Sequence, residues 1–406
     1  MAMDRRSSSS TIATVLVLCS ALASCNAAGG LPRPAPPAVF NVVSFGAKPG
    51  NTDSAQQAFM RAWNAACKFV GPRASLFVPP GIFTLGEVTF EGPCSSQSPI
   101  VFQVAGTVQA VSDVSAYSGQ GWISFDTING LVITGGGTID GRGQNVWQYN
   151  DCKNNGDCVH LPASFHFNGV KNAKIKGISL VNAMGFHMHV TNSYLFRAHS
   201  LTITAPPDSP NTDGMHVSKS NTVKIARSVI RTGDDCVSIG PGATNVTINK
   251  VTCGPGHGIS IGSLGKYPNE LDVRGLIVKN CTLQGTTNGV RIKTYAGSGP
   301  SVAAGMRFSD IVMENVLNPI IIDQNYGGSS TQPSQVRITD VVYENIRGTT
   351  STETAISLTC SPSVPCQNVY FTNINLRNTR TARLSSICAN ARVISSGVQT
   401  PAPCVL

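Results

Sequence analysis

The sequence predicts an all-β chain, a right-handed parallel β-helix with a short N-terminal capping helix. Three observations carry this expectation. Apolar-x-apolar triplets recur at residues 188–190, 215–217, 237–239, 259–261, 290–292, 320–322 and 356–358, at a spacing that signals stacked repeats. Each interval holds a second strand-like piece, such as AKIKGISL, TVKIARSVI, NVTINKVT, LDVRGLIVKNCTL and QVRITDVVYENI. Helical periodicity disappears beyond the first 90 residues, and Asn, Gly, Thr and Ser gather where corners are needed. One coil per period stacks each strand over its counterpart, with Val and Ile inside and about 4.8 Å between coils. A β-sandwich would instead show clean alternation and closely spaced hairpin turns.

From the N-terminus, residues 1–28 read as a signal peptide. Arg5 and Arg6 precede a short apolar run at 11–22, and small residues continue through Ala28. That run is too short to span a bilayer, and no later stretch is apolar enough to do so. The expectation is a secreted protein, free of the membrane once the leader is removed. Residues 29–39 form a Pro-rich linker, and 40–406 a single β-helix domain. FNVVSFGA at 40–47 reads as a strand. Asp53 then opens a helical pattern in Ala55, Phe59, Ala62, Trp63, Ala66 and Cys67. In this reading Asn51-Thr52-Asp53 supplies the helix cap. SLFVPPG at 75–81 returns to a strand and turn, and the helix between covers the open end of the coil stack.

Composition narrows the class. A chain of 406 residues with 41% hydrophobic and 13% charged residues is too apolar for disorder. Its net charge of +9 suits a polyanionic partner. There is no Lys/Arg run and no basic strip interleaved with aromatics, so nucleic acid is not expected as a partner. Cys19 and Cys25 would leave with the leader, and an odd number of the 13 cysteines remains. Cys152/Cys158, Cys236/Cys253, Cys360/Cys366 and Cys388/Cys404 are neighbours suited to local disulfides in an oxidising compartment. Cys281, inside an apolar pattern, is the expected free thiol. Asn245 and Asn280 occupy glycosylation sequons.

Four short motifs fall at one corner of successive coils: Asn211-Thr212-Asp213-Gly214, Gly233-Asp234-Asp235, Gly256-His257-Gly258 and Arg291-Ile292-Lys293. Asp213, Asp235 and His257 each stand two residues before an apolar triplet, so equal register should stack them like rungs. Alternation alone would turn the carboxylates into the core, at a prohibitive cost. A bend before each triplet, permitted by Gly214 and Gly258, would swing them into a cleft instead. Clustered carboxyl groups repel, so one should keep its proton to higher pH. Glycoside hydrolysis needs that division: a protonated carboxyl for the leaving oxygen and an ionised one to activate water. Arg291 and Lys293 then offer cations to an acidic sugar.

In their order and separations, these motifs resemble the signature of the polygalacturonases, the family-28 glycoside hydrolases. The strings SPNTDGMHV, TGDDCVSIG, CGPGHGISIGSLGKY and NGVRIKTY are most similar to plant members, in particular the exo-acting pollen group. The resemblance spans nearly the whole mature chain. It implies inverting hydrolysis of α-1,4-galacturonosyl bonds in polygalacturonate outside the cell, in the wall, by a monomer without a cofactor. It also implies Asp234 as general acid, Asp213 and Asp235 as the water-activating pair, and His257 as support for the acid's protonation. Arg291, Lys293, Asn211 and Tyr326 would bind substrate. Where plant relatives carry a cysteine-bearing loop after that tyrosine, this chain has Gly327-Gly328-Ser329-Ser330, a departure that bears on chain-end preference.

The competing readings are an endo-acting hydrolase, an eliminating lyase and a non-catalytic wall-binding protein; the intact aspartates oppose the last. His187-x-His189 places two rings on one strand face, but no carboxylate or cysteine shares their register, so no metal is expected. Gly135-Gly136-Gly137 follows a strand without a helix or Lys-Ser/Thr behind it, and reads as a corner.

Overall fold

The computed structural model describes residues 36–50, 55–150, 161–328 and 330–404. Strands stack as two parallel sheets, one of 21 strands and one of 11. The smaller sheet is built from the predicted triplets. Val190 pairs with Val217, Val217 with Ile239, Ile239 with Ile261, Ile261 with Ile292, Ile292 with Ile322 and Ile322 with Leu358. All of these side chains are buried, giving the inward ladder of β-branched and aliphatic groups that the repeat demands. Burial of each such side chain contributes about 1.5–3 kcal/mol.

The second piece of each repeat proves to be two strands. AKIKGISL divides into Lys171–Lys176 and Ser179–Val181, and TVKIARSVI into Asn221–Ala226 and Val229–Arg231. The break needs little chain: Gly177 and Arg227, both at positive φ, turn it in left-handed geometry. Further on, Ser301–Val316 and Val336–Thr350 run through both positions without interruption. Gly135 is a true corner. It has φ 129°, and a Cβ there would lie 2.1 Å from the Val104 carbonyl oxygen.

At the N-terminal end the chain differs from expectation in two places. Only Ala38–Asn41 is a strand; Val42–Phe45 winds into a 3₁₀ turn because the Asn41 side chain accepts from the Val43 amide. The helix is Gln56–Lys68, with Ala55 at its cap position and no side-chain cap bond; Asn51-Thr52-Asp53 lies outside the described residues. Its buried face, including Phe59 and Trp63, packs into the core. Trp63 stacks on Phe90 at 4.7 Å, and a disulfide from Cys67 to Cys94 fastens the helix end. That bridge went unnamed in the sequence reading.

Disulfides also join Cys236 to Cys253, Cys360 to Cys366 and Cys388 to Cys404, while Cys281 is free and buried. Burial pushes the Cys281 thiol up to about 11, so it stays protonated and unreactive. The Cys152/Cys158 pair, the leader and most of the Pro-rich linker lie outside the described residues. Asn245 and Asn280 are exposed, both at positive φ, the first near the start of the strand Thr244–Asn249 and the second at a bend. No helix among the described residues is long and apolar enough to cross a membrane.

Candidate active site

The bend inferred before each triplet is present. Strands of the smaller sheet begin at Met215, Val237 and Ile259, after the acidic motifs. Gly214 sits where a Cβ would meet Ile230 at 2.4 Å, and Gly258 has φ 92° with the Asn288 carbonyl 2.0 Å from a would-be Cβ. Only glycine fits either position. The Gly214 amide donates to the Asp235 carbonyl, so Asp213 and Asp235 are neighbouring rungs. The Thr212 hydroxyl accepts from the Gly233 amide at 3.0 Å, tying one acidic loop to the next.

Side-chain partnerships cross the rungs. His257 Nδ1 meets Asp234 Oδ1 at 2.9 Å, rather than pairing with Asp235. Asp235, 1% exposed, is held on both oxygens. Its Oδ1 accepts from Ser260 Oγ at 2.6 Å and Arg291 Nη2 at 2.9 Å, and its Oδ2 from Lys293 Nζ at 3.0 Å. Arg291 Nε also donates to Ser260 Oγ at 3.0 Å. Asp213 Oδ2 accepts from Ser238 Oγ at 2.6 Å. Because Ser238 spends its only proton there, His216 Nδ1, 2.8 Å from the same oxygen, is the donor to it.

Burial divides the three carboxyl groups. The Asp234 side chain is 20% exposed, whereas Asp213 and Asp235 are nearly closed off. Burial, reinforced by the charges of Asp234 and Asp235, raises the Asp213 carboxyl well above its ordinary value. Burial also pushes Asp234 up, but the hydrogen bond from His257, the charges of His257 and Lys293, and the Asp235 amide outweigh it, leaving Asp234 below the usual carboxylate range. Lys293 is pulled down by burial yet held above its ordinary value, chiefly by Asp235. The protons are divided, but in the reverse of the expected sense: in the empty cleft Asp213 is the group that keeps its proton, and Asp234, the expected acid, is the group that gives it up.

The six central residues of the four motifs thus form one cluster. Tyr326 joins its edge, its ring centre 5.2 Å from Lys293 Nζ and its ring edge-on to Tyr295. Asn211 is exposed at the lip with φ 52°, and makes no hydrogen bond to the cluster among the described residues. Ser238 and Ser260 escaped the sequence reading. Each is the middle residue of an apolar triplet, and that outward position continues as a column: His166, His189, His216, Ser238, Ser260 and Arg291.

The histidines of that column touch. Ring centres are 5.0 Å apart for His166 and His189 and 5.2 Å for His189 and His216, and Phe186 stacks on His216 at 5.1 Å. Burial lowers His189 to about 3 and His216 to about 4, so both are neutral. His187 does not share their face as alternation predicts. It lies before the bend, fully buried, with its ring against the backbone carbonyls of Asp213 and Thr204. Asp234, Asp235 and His257 offer ligand atoms within 4.8 Å of one another. A cation there would have to displace Arg291 and Lys293 from Asp235, so the donor set suits a metal poorly.

Three carboxyl groups with separated protonation, opening on a cleft beside two cations, are the equipment of a glycoside hydrolase. The chain belongs to glycosyl hydrolases family 28, whose family model matches residues 68–399. It is 45% identical to an exopolygalacturonase of Platanus acerifolia, over 90% of this chain and 97% of that protein. It is 44% identical to an Arabidopsis thaliana exopolygalacturonase, over 89% of this chain and 86% of the relative. Its fold resembles the crystal structure of a hyperthermoactive exopolygalacturonase from Thermotoga maritima, with a TM-score of 0.77 and 18% identity, covering 89% and 92% of the two chains.

Proposed function

We propose that this protein hydrolyses α-1,4-galacturonosyl bonds of polygalacturonate, releasing galacturonate from the chain end. The carrying observation is the contrast within the acidic pair: Asp234 faces the cleft beside His257, while Asp235 is buried and neutralised by Arg291 and Lys293. With substrate bound, the proton that Asp213 keeps in the empty cleft moves to Asp234, which passes it to the departing glycosidic oxygen beside the His257 imidazole. Asp213 and Asp235 hold the attacking water. As the water oxygen bonds to the anomeric carbon and the glycosidic bond breaks, the water's proton goes to this pair. The Ser238 hydroxyl, which accepts from His216, holds the Asp213 carboxyl in place. Arg291, Lys293, Tyr326 and Asn211 line the substrate side, where the cations meet uronate carboxylates.

Chain-end action is supported by the names of the relatives reported above. Export to the cell wall is supported by the leader-like residues 1–28 and by disulfides, which persist in oxidising compartments. The deciding experiment is digestion of a defined galacturonate oligomer, with product lengths and the first-formed anomer read together. Monomer alone, released with inversion to the β-anomer, is expected. A rapid viscosity loss on polygalacturonate at little bond cleavage overturns the chain-end mode. A first-formed α-anomer overturns the single displacement, and unsaturated ultraviolet-absorbing ends overturn hydrolysis itself.

A further inference from the structure

Lys174, Arg197 and Lys224 occupy one register position of three successive coils. They stand on the larger sheet, outside the one that carries the cleft. Their strand neighbours Ala173, Ile175, Phe196, Ala198, Val223 and Ile225 are buried, so the three cations form an exposed ladder with about 4.8 Å between rungs. Lys176 lies beside it on the first of these strands, and Arg227 and Lys250 follow at the next corner. Among the described residues none of these six is in an ion pair. Like charges facing each other across neighbouring strands repel, and this part of the fold supplies nothing to offset them.

The absence of counter-charge is written into the sequence. Between residues 161 and 269 the acidic residues are Asp208, Asp213, Asp234 and Asp235, and the last three belong to the cleft. Elsewhere on the same sheet two cations are paired: Arg274 with Asp272, and Arg307, in the column of the ladder, with Glu344. His199, in register beside the ladder, is held below its ordinary value by burial and then by Arg227, Lys174 and Lys176. Tyr194, 46% exposed on the same strand as Arg197, sets an aromatic surface next to the charges. A tyrosine ring offers an apolar face and a hydroxyl at its tip.

We propose that this wall is a second binding surface for a polyuronate strand, lying along the coil axis with successive carboxylates against Lys174, Arg197 and Lys224. The identity of the polyanion rests on the function proposed above. One polyanion repeats a carboxylate on every sugar, as the wall repeats a cation on every coil. Held there, a polymer keeps its free ends at high local concentration near the cleft, a multivalent gain that a short oligomer cannot share.

The test compares the wild type with a Lys174→Gln/Arg197→Gln/Lys224→Gln variant. A control, Arg337→Gln/Arg377→Gln/Arg392→Gln, removes the same net charge from exposed positions on the later coils. Each is measured for retention on immobilised polygalacturonate across a salt gradient and for kcat and KM on galacturonate trimer, with circular dichroism to establish folding. The ladder variant is expected to bind polymer about tenfold more weakly while its trimer kinetics match the wild type, and the control is expected to bind nearly normally. Should the triple variant misfold, Lys174→Gln/Lys224→Gln replaces it with the same expectation at smaller amplitude. Unchanged retention, or an equal loss in the control, overturns the second surface. A wild type retained through the ladder that releases nothing from trimer would instead defeat the hydrolytic reading and leave this one standing.

Discussion

His257 and Asp234 share a 2.9 Å hydrogen bond across neighbouring coils, so the carboxyl group that reaches solvent is also the one with an imidazole partner. Its neighbour Asp235 has its oxygens committed to Ser260, Arg291 and Lys293. Adjacent residues thus supply one carboxyl that reaches solvent and one closed in between a guanidinium and an ammonium group. Asp234→Asn is therefore expected to lower kcat about 10²–10⁴-fold while the protein still folds and unfolds cooperatively. Reducing-sugar release and a melting curve on the same sample check this; a wild-type rate would remove Asp234 as the acid.

The same bond makes a statement about pH. Burial raises Asp234, and the hydrogen bond from His257 leads the effects that bring it below the ordinary range. His257→Ala removes that opposition, so the carboxyl should climb and stay protonated to higher pH. The alkaline limb of kcat/KM should move upward in pH even as the maximum rate falls. A limb that stays put or moves down would show that the group titrating there is not Asp234.

Asp213 should cost the fold stability at neutral pH. Burial, then the charges of Asp234 and Asp235, hold its folded value well above that of the unfolded chain, about 3.9. As pH rises through that unfolded value, the unfolded chain gives up its proton more readily than the native one, and stability falls until the folded value is passed. Asp213→Asn cannot titrate, and its amide oxygen can still accept from Ser238. The variant should lose activity yet melt at a higher temperature than the wild type at pH 7, with the gap closing near pH 4. An equal gap at both pH values would mean the carboxyl is not strained.

Ser260 offers a test of positioning. Its hydroxyl donates to Asp235 and accepts from Arg291 Nε, with no exposure of its own. Ser260→Ala leaves a guanidinium N–H unpaired in a nearly closed site, at a cost of about 1.5–3 kcal/mol for a bond to a charged group. A drop of about tenfold or more in kcat/KM is expected, accompanied by a lower melting temperature. Kinetics and unfolding both unchanged would show that Asp235 and Arg291 hold one another without help.

Register was the legible part of this chain. The triplets and motifs repeat at one spacing because identical side chains must stack in a coil, and stacking leaves a period in the sequence. Ser238 and Ser260 were hidden by that same regularity, since the middle of an apolar-x-apolar triplet looks like spacer until its outward face is known. The third strand of each coil was hidden because a single residue at positive φ, such as Arg227, makes the turn. Nor does the basic ladder exist as a run in the sequence. Lys174, Arg197 and Lys224 become neighbours only through coiling. The crossing of His257 to Asp234 rather than Asp235 depends on side-chain direction at a bend, which no alternation rule supplies.

The outward column gives the groove a direction. Along one line of strand positions it passes from three touching imidazoles, the two nearer the carboxyl groups uncharged through ordinary pH, to two hydroxyls and then to a guanidinium. An acidic polymer therefore meets electrical attraction at one end and a neutral aromatic wall at the other. Such a groove is not symmetric to a chain reversed within it, so the sense in which a polymer threads is set before any bond is touched.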